Sequence, residues 1–143
     1  MERIETVTKM TATWTGGMRF VYTSATGHGL ITDAPKEVGG GDTAATPMEL
    51  LLLSLIGCTG VDVASILDRM KEPLEALEVT VEAERAEKHP KVYTKIHLTF
   101  HVKGNISPKK LERAIKLSES TYCSVSAMLG KTAEITSEYV LLQ

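Results

Sequence analysis

The segment from Thr46 to Met70 constrains the fold of this 143-residue chain more than any other. It begins Thr46-Pro47-Met48-Glu49, with a threonine suited to the helix N-cap, a proline suited to the first helical position and a glutamate three residues after the cap. We therefore predict a helix from Pro47 to about Met70. Apolar residues occupy every side of its first four turns. A helix that is apolar all round has to be buried all round, and the remaining sheet and small helices of so short a chain cannot easily wrap it, so we expect a second copy of the chain to cover it.

The segments on either side of this helix alternate between strand, turn and helix patterns. Before it, residues 7–14, 18–23 and 30–34 are rich in β-forming residues and are separated by TGG and TGHG turns, which predicts a three-stranded antiparallel meander. The glycine-rich loop that follows, KEVGGGDTAA, is interpreted as a flexible connector, since it lacks the features of a phosphate-binding loop. After the helix, the patterns predict strands at 77–87 and 91–104, helices at 107–120 and 124–129, and a last strand at 133–142.

The predicted order is therefore βββαββααβ. This order is typical of an α+β fold with antiparallel sheets around a buried central helix, and the chain length predicts a single domain over residues 1–143. In the strand at 91–104, Ile96, Leu98 and Phe100 are expected on the buried face together with Val92 and Val102. Tyr93 falls on the opposite, polar face in this alternation.

Charge and hydropathy exclude several classes of partner. The net charge of −2 comes from 16 basic and 18 acidic residues spread along the chain, so no basic surface for nucleic acid is predicted. The longest uninterrupted apolar run, Leu50 to Gly57, is shorter than the roughly 18 residues of a membrane span, so none is predicted. The first ten residues, MERIETVTKM, lack the apolar stretch of a signal peptide and are expected to be part of the fold of a cytoplasmic protein. In that reducing compartment, two cysteines are more typical of a catalytic or inert role than of a structural disulfide.

The four histidines do not form a convincing site. His97 and His101 share the polar face of a strand, but two ligands without a further ligand at suitable spacing make a poor zinc site. His28 and His89 lie in turns and are given no role. No G-x-S-x-G motif is present, which argues against a serine hydrolase. The sequence therefore predicts neither a metal nor an organic cofactor.

The two cysteines are the residues best suited to chemistry. Cys58 lies between Gly57 and Gly60 in the predicted helix, and two glycines in mid-helix cost about 1 kcal/mol each relative to alanine. Either close packing of another helix or access of a small molecule to the sulfur could compensate that cost, and a free cysteine is often only a small core residue. Cys123 follows 65 residues later, at the break between the two C-terminal helices. The two thiols can react with each other only if the fold brings their Cα atoms within about 7 Å, which the sequence leaves open.

The stretches TPMELLLLSLIGCTGVDV and YCSVSAML resemble the OsmC/Ohr family of cysteine-based peroxidases, and specifically its YhfA-like branch. The resemblance covers essentially the whole chain, including the element order, the GGG-D loop and both cysteines. It implies an intertwined homodimer whose two central helices pack together, with active sites at the subunit interface. It also implies an enzyme that reduces organic hydroperoxides in oxidative stress defence, with Cys58 as the peroxidatic thiol and Cys123 as the resolving thiol. The implied reductant is an external dithiol, which is a dihydrolipoyl group for some members.

Two other family residues match this chain less closely. The peroxidases have an early arginine that stabilises the thiolate, for which Arg19 is the candidate, although a solvated strand arginine is the alternative. They also have a catalytic glutamate directly after the helix-starting proline, where this chain has Met48, and the acid comes one residue later at Glu49. That step turns the side chain by about 100° around the helix, and the capping box is an alternative reason for Glu49.

Two functions from other classes stay open at this point. One is a non-enzymatic dimer of the same fold that binds a small apolar ligand at its interface, with Cys58 as a packing residue. The other is a general disulfide exchanger, which the absence of a C-x-x-C motif disfavours.

Overall fold

The computed structural model describes residues 7–143, which divide into two compact units. The first unit ends at Leu51 and the second runs from Leu52 to Gln143. The first six residues of the MERIETVTKM segment lie outside the described residues, so the expectation for that part of it is not tested. The element order is βββαββααβ, as predicted, while a single domain over the whole chain stays a prediction.

The first unit contains a three-stranded antiparallel sheet. Its strands are β1 (Thr11–Trp14), β2 (Phe20–Thr23) and β3 (Gly29–Thr32), paired in the order β1-β2-β3, which confirms the predicted meander. Successive side chains of a strand point to opposite faces, and neighbouring apolar residues of β2 and β3 are all exposed. Both faces of the sheet therefore carry exposed large apolar side chains, namely Phe20, Val21, Leu30 and Ile31, at 36–44% exposure.

The loop after β3 is held by one buried carboxylate. Asp33, only 1% exposed, accepts hydrogen bonds at Oδ1 from the backbone N–H groups of Ala34 (2.7 Å) and Gly41 (3.3 Å). At Oδ2 it accepts bonds from the Thr43 hydroxyl (2.6 Å) and the Thr43 N–H (3.1 Å). The loop also closes tightly, because a Cβ atom on Gly40 would overlap the carbonyl oxygen of Ala34. The interpretation of this segment as a flexible connector was therefore wrong.

These bonds predict a pH-dependent stability of the first unit. The Thr43 hydroxyl, followed by the Ala34 N–H, lowers the pKa of Asp33 from 3.8 to about 2. Because the folded pKa is depressed, the carboxylate stabilises the fold above pH 4 and loses this contribution as the pH falls from about 4 to about 2. We expect Asp33→Asn to lower the free energy of unfolding at pH 7, and the deficit relative to wild type to shrink over that acid range.

The measurement is chemical denaturation of both proteins at several pH values. Asp42→Asn is the matched control, since Asp42 is an exposed residue of the same loop. A deficit for Asp33→Asn that stays constant down to pH 2 would contradict the role assigned to the Asp33 charge.

The helix α1 (Pro47–Arg69) begins in the first unit and continues into the second. The predicted capping box is confirmed: the Glu49 N–H donates to Thr46 Oγ1 (3.2 Å), and the Thr46 N–H donates to Glu49 Oε1 (3.0 Å). The helix ends within one residue of the predicted Met70. In the second unit, its residues Leu55, Val63 and Leu67 are fully buried.

One side of α1 is uncovered in this chain. Leu53 is 50% exposed and Val61 is 69% exposed, and a Cβ atom added to Gly57 would have no atom within 4 Å. These residues are spaced at i, i+4 and i+8, so they share one face of the helix. We call Leu53, Gly57 and Val61 the open stripe. The prediction of a helix buried on every side is thus not met by a single chain.

The same helix passes a membrane-span test by length and composition. An 18-residue window of α1 has a mean hydropathy of 2.1 and no more than two charged residues, and 28% of it is buried in the chain. The prediction of no membrane span was based on the uninterrupted run Leu50 to Gly57, whereas this test averages hydropathy over 18 residues and so tolerates a charged side chain such as Asp62. A core helix of a soluble protein passes this test as well, so it is weak support for a membrane location.

The second unit packs helices against a mixed sheet in the order β4-β5-β6. Strands β4 (Ala76–Arg85) and β5 (Tyr93–Lys103) form the predicted antiparallel hairpin. The helices α2 (Pro108–Leu117) and α3 (Ser124–Leu129) flank a π-helical turn (Ser118–Tyr122), and β6 (Glu134–Leu142) follows. Strand β6 runs parallel to β5, which corrects the prediction of purely antiparallel sheets. A parallel neighbour needs a crossover connection, and the helical segment 108–129 supplies it.

The inner face of β5 forms the core of this unit, as predicted. Ile96, Leu98, Phe100 and Val102 are at most 2% exposed. Two assignments are contradicted: Tyr93, predicted on the polar face, is buried at 8% exposure, and Val92, predicted on the buried face, is 37% exposed. The register of the hairpin shifts between Glu84 and Arg85, so that Arg85 pairs with Tyr93 and Glu84 with Lys95. The extra residue in β5 reverses the alternation, as a β-bulge does.

Candidate active site

The fold brings the two cysteines together. Cys58 lies in the middle of α1 and is half-buried, while Cys123 lies between the π-helical turn and α3 and is 3% exposed. Their sulfur atoms lie within 4.8 Å of each other, and both thiols are free. The fold therefore places the two sulfurs close enough for side-chain rotation to bring them to bonding distance.

The surroundings of Cys123 keep its thiol protonated. Burial is the main cause that raises the pKa of Cys123, and its hydrogen bond with Cys58 raises it further. The N–H of Ser126, which donates to the Cys123 sulfur at 3.3 Å, acts in the opposite direction. Cys123 thus occupies the N-cap position of α3, where its sulfur accepts the bond that a serine or aspartate oxygen commonly accepts. Of the two thiols, it is the less accessible to a solute and the more firmly fixed in position.

A third polar side chain, Asp62, lies beside the two sulfurs. It follows Cys58 by four residues on α1, so the two share a face of the helix, and one of its carboxylate oxygens lies within 4.8 Å of both sulfurs. The hydroxyl of buried Ser118 donates to Asp62 Oδ2 at 2.9 Å and ties the π-helical turn to α1. Sequence reasoning missed both residues. The i, i+4 spacing of Cys58 and Asp62 was a usable signal for Asp62, whereas nothing in the sequence pointed to Ser118.

The π-helical turn places Cys123 for this encounter. The Cys123 N–H donates to the carbonyl of Ser118, five residues earlier, at 2.8 Å, and the Ser126 hydroxyl donates to the carbonyls of Glu119 and Cys123. The predicted break between the two C-terminal helices is therefore an ordered turn, and π-helical turns are frequent at functional sites.

The other two predicted site residues have different surroundings. Arg19 lies in the tight connection between β1 and β2, is exposed, and has no hydrogen bond or ion pair from its side chain among residues 7–143. Glu49 is exposed and serves the capping box with Thr46. Both belong to the first unit, whereas the cysteines belong to the second. Roles for Arg19 and Glu49 in catalysis stay predictions.

The two explanations of Glu49 predict different phenotypes. If Glu49 only caps the helix, Glu49→Ala should lower the free energy of unfolding by about 1 kcal/mol, and Glu49→Gln, which keeps an acceptor for the Thr46 N–H, should cost less. Neither variant should change the rate at which a peroxide oxidises the thiols. The measurement pairs denaturation curves with thiol oxidation rates for both variants. A loss of rate of tenfold or more in Glu49→Gln with unchanged stability would instead indicate a catalytic carboxylate.

The histidines on the sheet have ordinary surface partners. His97 bonds to Thr136 Oγ1 at 2.7 Å and pairs with Glu138 at 3.2 Å, and His101 lies 3.5 Å from Thr80 Oγ1. Among residues 7–143, neither belongs to a group of three close potential metal ligands; the one such group is Cys58, Asp62 and Cys123.

The fold and this geometry define the class: an α+β protein with a paired-thiol site on its central helix. Comparisons with known proteins specify the family. The family model described as OsmC-like protein matches residues 39–138, a range that spans the boundary between the two units. The chain is 38% identical over 127 residues to Protein YhfA of Escherichia coli K12, which covers 88% of this chain and 92% of YhfA. The chain belongs to the OsmC-like family.

Solved structures agree with this assignment. A hypothetical protein from Aquifex aeolicus VF5 is 30% identical and superposes with a TM-score of 0.81, covering 97% of this chain and all of that one. An organic hydroperoxide resistance protein, OsmC, from Legionella pneumophila shares the fold at 17% identity, with a TM-score of 0.69 over 96% of this chain and 98% of that one. The apolar helix α1 is thus an element of the OsmC-like fold.

Proposed function

We propose that this protein is a thiol-dependent peroxidase that reduces organic hydroperoxides, with Cys58 as the peroxidatic thiol and Cys123 as the resolving thiol. The observation that carries the proposal is the pair of free thiols with sulfurs within 4.8 Å of each other, of which one is half-buried and the other buried. Relatives of the same fold that are named as organic hydroperoxide resistance proteins support the choice of substrate class.

The chemistry assigns a distinct step to each sulfur. The Cys58 thiolate attacks the outer oxygen of the hydroperoxide, the O–O bond breaks, and the departing alkoxide takes a proton to become an alcohol. Cys58 is then a sulfenic acid. The Cys123 sulfur attacks the Cys58 sulfur, a disulfide forms, and the hydroxyl leaves as water after taking the Cys123 proton. An external dithiol returns both cysteines to the thiol form by disulfide exchange.

The environments of the two sulfurs favour this order of events. Cys58 is the more exposed, so a hydroperoxide reaches it first. The raised pKa of Cys123 keeps that thiol protonated and unreactive toward the peroxide, yet close enough to intercept the sulfenic acid before a second peroxide does. Asp62, with a carboxylate oxygen within 4.8 Å of both sulfurs, is a candidate acceptor for the Cys58 proton once a side-chain rotation brings the two groups together. We further propose that the protein works as a homodimer in the cytoplasm, where dithiol reductants are available.

The test is the addition of a slight excess of cumene hydroperoxide to the reduced protein. We expect one intramolecular Cys58–Cys123 disulfide per chain, seen as the loss of two hydrogens in the intact mass, and its reversal by a dithiol. Free cysteine oxidised in the same tube is the positive control. If both thiols stay reduced while free cysteine oxidises, the proposed peroxidase function is excluded.

A non-enzymatic dimer that binds an apolar ligand is the second candidate. A groove of about 340 Å³ in the first unit favours it, because apolar side chains dominate its lining, among them Met10, Ala12, Leu30 and Leu50. In that case Cys58 is a packing residue. It would then react with a thiol reagent only after denaturation, whereas a peroxidatic thiol reacts in the native protein at neutral pH.

A further inference from the structure

The cysteine pair and Asp62 together also form a set of potential metal ligands. One ligand atom from each of Cys58, Asp62 and Cys123 lies within 4.8 Å of the other two. Zinc binds thiolate sulfur at about 2.3 Å and carboxylate oxygen at about 2.0 Å, so ligand atoms around a tetrahedral ion are roughly 3.3–3.8 Å apart. Side-chain rotations that shorten the donor–donor distances by about 1 Å would bring the three donors to that spacing. Two sulfurs and one oxygen leave the fourth position for water.

Neighbouring groups already orient two of these three donors. Ser118 Oγ donates to Asp62 Oδ2, and Oδ1 has no hydrogen-bond partner within the described part of the chain, so it can face an ion. The Ser126 N–H fixes the Cys123 sulfur. Outer partners of this kind hold metal ligands in position and strengthen binding.

Charge and access are compatible with a cation at this position. Asp62 makes no ion pair with any of residues 7–143, and the nearby guanidinium of Arg69 instead donates to Ser65, at 3.5 Å. A small cavity of about 60 Å³, lined in part by Asp62, Arg69 and Tyr122, lies beside the carboxylate. Asp62 and Cys58 are half-buried, so an ion can enter from this side and keep a water ligand.

We infer that the reduced protein binds one thiophilic divalent cation, of the zinc and cadmium type, through the Cys58 and Cys123 sulfurs and the Asp62 carboxylate. Binding needs both thiols deprotonated, so it releases protons. A disulfide between the two cysteines removes both sulfur ligands, so only the dithiol form binds the ion. The bound cation in turn shields Cys58 from peroxide.

The experiment is a zinc titration of the reduced, reductant-free full chain against a chromogenic chelator. Cadmium serves as a second probe, since its thiolate bonds give an ultraviolet charge-transfer band. We expect one ion per chain. We also expect affinity to fall by about 10- to 100-fold in Asp62→Asn, and by about 100-fold or more in Cys58→Ser and Cys123→Ser. Asp68→Asn, an exposed acid on the same helix, is the matched control and should bind as wild type does.

Two further measurements keep the inference falsifiable if a cysteine variant fails to fold. Wild-type protein with alkylated thiols should lose the site, and slowing the alkylation of Cys58 should need a correspondingly higher zinc concentration in Asp62→Asn than in wild type. Absence of stoichiometric binding, or equal affinity of wild type and Asp62→Asn, would overturn the inference. These results do not depend on peroxide, so metal binding and peroxidase activity can fail separately.

Discussion

Cys58→Ser should lower the rate of hydroperoxide reduction by about three orders of magnitude or more, to the level of buffer with the dithiol alone. A serine hydroxyl is un-ionised at neutral pH and does not attack an O–O bond, so no other group of the site replaces the lost nucleophile. Cys123 should stay reduced in this variant, because it is 3% exposed and its pKa is raised. Stability should change little, since the two side chains have nearly the same size.

Cys123→Ser should produce a different phenotype, in which the first turnover survives and the following ones fail. Cys58 still reduces one equivalent of peroxide, but its sulfenic acid has no partner sulfur nearby. With excess peroxide, the intact mass should show sulfenic acid passing to sulfinic and sulfonic acid on Cys58. A dithiol added at once rescues the sulfenic form only.

Both cysteine variants are compared with wild type by three measurements: quenched single-turnover reactions with peroxide, the intact mass of the products, and a steady-state assay coupled to dithiol oxidation. Circular dichroism of each variant is the control for folding. If Cys123→Ser turns over as wild type does, reduction does not pass through the disulfide. If Cys58→Ser retains activity, the roles assigned to the two sulfurs are wrong.

Local patterns predicted much of this molecule. The sequence Thr46-Pro47-Met48-Glu49 specified the start of α1, because capping depends only on residues three apart. Alternation predicted the buried face of β5 correctly from Ile96 to Val102, and it failed at Tyr93 because the bulge reverses the alternation there. The parallel pairing of β6 with β5 depends on a crossover that no local pattern reports.

The site was predictable to a smaller extent for a similar reason. Cys58 and Cys123 stood out by residue type, but their approach depends on the π-helical turn and on the Ser118–Asp62 bond, which joins residues 56 positions apart. Asp62 has no local feature beyond its spacing from Cys58. Glu49 presents the opposite difficulty. Its position in the sequence fits both a capping box and a catalytic role, so the sequence alone does not distinguish the two.

The open stripe of α1 predicts a dimer. The substitution Gly57→Ala tests this prediction, because it should stabilise an isolated chain but weaken a dimer that packs on the stripe. Gly57→Ala should stabilise an isolated chain by about 1 kcal/mol, because alanine is the better helix former and no atom lies within 4 Å of the added Cβ. If a partner helix packs on Leu53, Gly57 and Val61, the same methyl group should instead weaken the dimer. Gly60→Ala is the matched control, since its Cβ would meet only Val79, at an ordinary 3.7 Å; it should not alter assembly.

We expect Gly57→Ala to weaken a dimer. Leu53 and Val61 are too exposed for a helix of this hydropathy in a single chain, and both faces of the β1–β3 sheet carry exposed apolar side chains as well. Sedimentation at micromolar concentration should give twice the 15.6 kDa chain mass, and Val61→Glu should shift it toward one chain mass because it places a charge in an apolar contact. A 15.6 kDa species for wild type, together with a stabilising Gly57→Ala, would mean that the open stripe faces solvent and that the thiol site works within one chain.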